Sequence, residues 1–173
     1  MRKKNDKLFS SEIQKILSKL ISEEQIAHDF YIGCIVATSQ DEAEVFMKMF
    51  IEIAKDEMDD HCKKLVDWAV SNDYDVPFKY KDFEKSADGK VFRSFNSLKT
   101  GEKAKFYIDK AIEQEELAIK SYEEEIKTMS ESDAFDYSLY EILMQNYLDE
   151  KEHLAKLQLL KEAMKNDVNL IGF

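Results

Sequence analysis

The sequence predicts an all-α fold, a bundle of four long helices, and three observations predict it. The 173 residues include only four Gly and one Pro, and strand-like alternation is hard to find. Apolar residues recur in alternating steps of three and four through four separate stretches. The connections between those stretches run short, long, short, the order that joins two antiparallel helix pairs through one crossover.

The first helix is expected from about Ser11 to Thr38, with Ile13, Leu17, Leu20, Glu24, Ala27, Tyr31, Cys34 and Thr38 on one stripe. Ser39 and Glu42 have the spacing of a capping box for the second helix, which runs to about Ser71. Its stripe is Ala43, Met47, Phe50, Ala54, Glu57, His61, Leu65 and Trp68. Residues 72–99 mix the turn formers Asn72, Asp73, Pro77, Asp88 and Gly89 with Phe78, Tyr80, Phe83, Phe92 and Phe95. They read as the long crossover, with a short helix near Lys81–Ser86. The third helix spans about Thr100–Met129, on the stripe Ala104, Ile108, Ala111, Glu115, Ala118, Tyr122, Ile126, Met129. The fourth spans about Asp133–Lys165, on Leu139, Leu143, Asn146, Glu150, His153, Leu157, Leu160 and Met164. The chain thus divides into a basic arm at 1–10, a bundle at 11–165 and a short tail at 166–173.

A net charge of −11 argues against a general nucleic-acid surface and favours cations or basic partners. DNA contact is expected only through the basic arm, if at all. No apolar run approaches the ~20 residues of a membrane span, and the start lacks a secretory pattern. Cys34 and Cys62 make no disulfide framework. A cytoplasmic protein fits these features.

Each apolar stripe is interrupted near its middle by a carboxylate, at Glu24, Glu57, Glu115 and Glu150, and the last is followed three residues later by His153. Burying an unpaired carboxylate is costly, and four together repel. Either the acids are protonated or cations lie between them. Carboxylate oxygens with one or two imidazoles suit first-row metals such as iron or manganese. The halves also repeat. Glu24 and Tyr31 are seven apart, as are Glu115 and Tyr122, and Asp56-Glu57-Met58 answers Asp149-Glu150-Lys151. A duplicated helical hairpin folded on itself brings the four glutamates to one level.

On these residues the chain resembles the ferritin-like superfamily, bacterioferritins and related ferritins in particular, over about residues 11–165. Carboxylate-bridged di-iron bundles take one Glu from each of two helices and Glu-x-x-His from each of the others. The resemblance implies two iron ions bridged by Glu57 and Glu150. Glu24 would cap one and Glu115 the other, with His153 on the Glu115 side. Tyr31 and Tyr122 would hold carboxylates or relay an electron. It also implies a haem ligand at Met58 across a two-fold interface, although Asp-Glu-Met occurs without haem. The family's second-helix histidine stands three residues after its Glu; here that position is Asp60, and His61 follows. Either Asp60 binds through oxygen, or His61 binds through a local helix bulge.

The resulting expectation is a ferroxidase that oxidises Fe(II) with O2 or H2O2 and stores or holds the product in a homo-oligomeric shell or dimer. A rubrerythrin-like peroxide reductase and a DNA-protecting mini-ferritin are alternatives. So is a metal-free helical interaction module.

Overall fold

The computed structural model describes residues 5–40, 44–76 and 100–166. Helix α1 spans Asn5–Gln40, α2 spans Glu44–Lys55, a π-helical segment π1 spans Asp56–Cys62 and α3 spans Lys63–Ser71. Helix α4 spans Thr100–Glu131 and α5 spans Tyr137–Asn166. Lys55 and Lys63, flanking π1, both hold helical backbone angles, so α2, π1 and α3 form one continuous rod. The result is an all-α bundle of four rods in antiparallel pairs, with the long crossover between the second and third. Among the described residues no helix is long and apolar enough to cross a membrane.

The stripes bury as expected along most of their length. Ile13, Leu17, Leu20, Tyr31, Cys34, Ile108, Ala111, Tyr122, Met129, Leu139, Leu143, Leu157 and Met164 are all buried. Fully burying one large apolar side chain contributes about 1.5–3 kcal/mol. The core forms two apolar clusters. One contains Phe30, Phe50, Ile108 and Leu157; the other contains Leu17, Leu65, Met129 and Leu143. The buried glutamates and histidines lie along the helices between them, so apolar packing seals the polar layer at both ends.

Several boundaries differ from the sequence expectation. Helix α1 takes in residues 5–10 of the expected arm and continues through Ser39 to Gln40. Asp41–Ala43, the short helix at Lys81–Ser86, the aromatics of 78–95 and residues 167–173 lie outside the described residues. Helix α5 begins four residues beyond Asp133, because Asp136 supplies the cap. Asp136 Oδ1 accepts from the Leu139 amide at 3.0 Å and from Ser138 Oγ at 2.6 Å. Helix α3 ends in a Schellman turn with Asp73 at φ 58°, where the Tyr74 amide donates to Ala69 O at 2.9 Å. Tyr74 then stacks on Trp68, with ring centroids 5.5 Å apart.

The π segment also shifts the buried face. Before it, Phe46 is buried and Met47 only half-buried; within it His61 and Cys62, and after it Leu65, Trp68 and Ala69, are buried. A π turn carries more residues than the 3.6 of an α turn, so everything beyond it is rotated back relative to a continuous α-helix.

Candidate metal centre

Glu24 comes from α1, Glu57 and His61 from π1, Glu115 from α4, and Glu150 and His153 from α5; all six are buried. They form two groups whose ligand atoms lie within 4.8 Å of one another. Glu24, Glu57, His61 and Glu150 make one; Glu57, Glu115, Glu150 and His153 make the other. Glu57 and Glu150 belong to both. His61 Nδ1 is 3.4 Å from Glu24, 3.8 Å from Glu57 and 3.3 Å from Glu150. His153 Nδ1 is 3.6 Å from Glu115, 3.8 Å from Glu57 and 3.5 Å from Glu150. The two rings stack at 5.7 Å.

The outer contacts cross between the halves. Tyr31 Oη, from α1, donates to Glu115 Oε1, and Tyr122 Oη, from α4, donates to Glu24 Oε1. Asn146 Nδ2 donates to Tyr122 Oη at 2.9 Å. His153 Nε2 meets Asp56 Oδ2 at 3.3 Å, and His61 Nε2 faces Asp149 Oδ2 at 3.6 Å. Each Asp that precedes a shared Glu thus faces the histidine of the opposite rod. A carboxylate on the far nitrogen orients the ring and turns its other nitrogen inward. Asp56 and Asp149 were visible only as matching letters of the repeat; pairing them with histidines needed the antiparallel alignment of the two rods.

Asp60 does not enter either inner group. Its carboxylate pairs with Lys64 Nζ at 2.5 Å on the outer side of π1, while the adjacent His61 ring is fully buried. Met58 also faces outward, 37% exposed. His28 is half-buried and paired with Asp29 at 3.4 Å. Cys34 and Cys62 are buried free thiols.

The inner atoms lack hydrogen-bond partners. Glu24 Oε2, Glu57 Oε2, Glu115 Oε2, both oxygens of Glu150 and the Nδ1 atoms of His61 and His153 are buried without one. Buried polar atoms left so are costly. Here they converge on two foci, as a pair of cations requires. The residues present therefore fit a two-metal carboxylate–imidazole site.

No family model matches the sequence, and no curated protein matches it. The bundle and its two buried ligand clusters are ferritin-like. That conclusion rests on the geometry of the six side chains and on the architecture that delivers them.

Electrostatics without metal follow the same layout. Burial raises Glu57 well above the carboxylate range, and the charges of Glu150 and Glu24 push it further. Burial and Glu150 raise Glu115 to about 8. Burial also opposes ionisation of Glu150, but the imidazoles of His153 and His61, 3.5 and 3.3 Å away, outweigh it and hold Glu150 at about 2. Burial disfavours charge on His153, yet Glu115 and Glu150 raise it to about 10; Glu150 and Glu24 raise His61 in the same way. Burial and the facing glutamates hold Tyr31 and Tyr122 well above 10, so both stay donors.

A pH dependence follows. His153 contributes stability that is complete below its unfolded value of 6.5 and is lost as pH rises through about 10. Glu115, held neutral in the fold, penalises it increasingly between 4.5 and about 8. Glu150 acts oppositely, and its contribution is lost as pH falls through about 2. Metal-free protein is therefore expected to melt highest near pH 4.5 and progressively lower up to pH 10. Thermal melts in chelator across that range check this; a melting temperature that climbs toward pH 9 contradicts it.

Proposed function

We propose that this chain is a ferroxidase, binding two Fe(II) ions per bundle as substrate and oxidising them with O2 or H2O2. The observation that carries the reading is the sharing of Glu57 and Glu150 by two otherwise separate ligand groups within one chain. Two ions held by common carboxylates can deliver their electrons together, which reduces O2 to H2O2 or H2O2 to water with protons taken up. Oxygen-rich ligands favour the ferric product.

In this reading Glu24 and His61 hold one ion, Glu115 and His153 the other, and Glu57 and Glu150 both. Tyr31 and Tyr122 keep the outer oxygens of Glu115 and Glu24 fixed. Asp56 and Asp149 orient the rings. A cleft of about 440 Å³ between α1 and α4 is lined by Glu24, Glu57, Glu150 and Tyr122 and is the route proposed for the oxidant. The half-buried Ala27 and Ala118, which occupy matching places in the two halves, line it as well. Their small side chains leave the space that larger stripe residues would fill.

The test is Fe(II) titration of metal-free protein under air, following ferric absorbance, proton release and particle size. Rapid oxidation saturating at two irons per chain is expected, with protons displaced from the histidines and from Glu57 and Glu115. Slower uptake of many further irons into a large particle identifies a storage shell. Saturation at two, with peroxide consumed faster than O2, identifies a peroxide reductase. No binding leaves a metal-free module and overturns the proposal.

A further inference from the structure

The residue that lengthens Glu-x-x-His to Glu-x-x-x-His leaves Asp60 next to His61, on the outer side of the ring. Asp60, Asp149 and His61 form a third group whose ligand atoms lie within 4.8 Å of one another. Acidic clusters on an acidic protein are common, but this one has a buried floor. His61 Nε2 is fully buried, has no hydrogen-bond partner and is 3.6 Å from Asp149 Oδ2. A cation already marks the place: Lys64 Nζ is 2.5 Å from Asp60 and 3.9 Å from Asp149. Beside it a cleft of about 180 Å³ is lined by Asp56, Asp60, Asp149, Glu152, His153 and Lys156.

We propose that Asp60, Asp149 and Nε2 of His61 form a third cation site, a staging position from which a divalent transition-metal ion passes to the inner pair. Two carboxylates and an imidazole suit the same first-row ions as the inner groups. A neutral imidazole has one lone pair, so its two nitrogens serve the outer and inner positions in turn rather than together. As the ion binds outside, the ring releases its Nε2 proton to solvent and keeps the one on Nδ1; on transfer Nδ1 gives up its proton and takes the ion, and Nε2 releases the ion and takes a proton. Lys64 competes for the outer position and leaves it when the ion arrives. This inference rests on reading the inner groups as metal sites. It assigns loading to the groove between π1 and α5, on a different side from the α1–α4 cleft.

The test is anaerobic stopped-flow loading of full-length metal-free protein with Co(II), at near-physiological salt, with final occupancy measured separately. Asp60→Asn is expected to slow loading roughly tenfold, the scale for losing one charged ligand of a weak site, while final occupancy stays at two. Lys64→Met is expected to accelerate it. Asp59→Asn, which removes the same charge from an exposed neighbour, is expected to leave the rate within about twofold, since exposed charges are screened. Wild-type rates in Asp60→Asn, or unchanged or slower loading in Lys64→Met, overturn the proposal and leave the inner pair standing. A lower final occupancy in Asp60→Asn makes Asp60 an inner ligand and also overturns it. If wild-type protein takes up no Co(II), the inner reading has failed and this one falls with it.

Discussion

Glu57→Gln and Glu150→Gln are expected each to remove two-ion binding and to lower the initial rate of Fe(II) oxidation by more than ~100-fold. That is beyond the roughly 10–100-fold typical of outer partners, because each residue serves both ligand groups. The same two changes are expected to move the metal-free fold in opposite directions. Glu57 is held above the carboxylate range by burial and by the charges of Glu150 and Glu24, so a neutral amide relieves repulsion. A gain of about 1 kcal/mol is expected. Glu150 instead stays ionised between His61 and His153, which keep their protons because it is there. Its loss leaves buried imidazolium unpaired and is expected to cost about 3 kcal/mol near neutral pH. Denaturant unfolding of both variants in chelator, beside metal titration, checks the pair. Equal stability shifts, or two-ion binding retained in either variant, would contradict this account of the centre.

Deleting Asp59 is expected to be tolerated, whereas deleting Lys151 is expected to unfold the bundle. Both residues are exposed and lie within a Glu…His spacing. Removing one residue from π1 lets the turn close as an ordinary α turn, with His61 three residues after Glu57 and the downstream Leu65 and Trp68 still inward. Melting within a few degrees of wild type and binding of both ions are expected. Lys151 lies in regular α-helix, where deletion turns all that follows by about 100°. That carries His153, Leu157, Leu160 and Met164 out of the core, at about 1.5–3 kcal/mol for each large apolar side chain. Circular dichroism and thermal melts of the two deletions decide it. Equal damage from both would mean that π1 is needed for the fold itself and not as the accommodation of one extra residue.

Much of this was legible in the order of residues. Steps of three and four with four misplaced carboxylates call for a helical bundle with a polar layer, because such acids have no other stable place in an apolar stripe. The repeat of Glu24–Tyr31 in Glu115–Tyr122 then marks the halves as equivalent. Helix limits were less legible. Asp136, not Asp133, caps α5 because the cap is chosen by which carboxylate reaches the free amide of Leu139.

The sequence by itself determined the bundle, the acids that line it and the need for protons or cations among them, since these follow from periodicity and the cost of buried charge. Only the tertiary structure decided between Asp60 and His61 for the inner position. Spacing by analogy favoured one and the stripe favoured the other, and the choice depends on whether the backbone widens to a π turn, a local cost that packing of Leu65 and Trp68 beyond the bulge must offset. It also decided which partners cross the bundle, Tyr31 to Glu115, Tyr122 to Glu24, Asp56 to His153 and Asp149 to His61. Those pairs join residues far apart in the chain, and their register is set by how antiparallel rods align, a property no single helix carries.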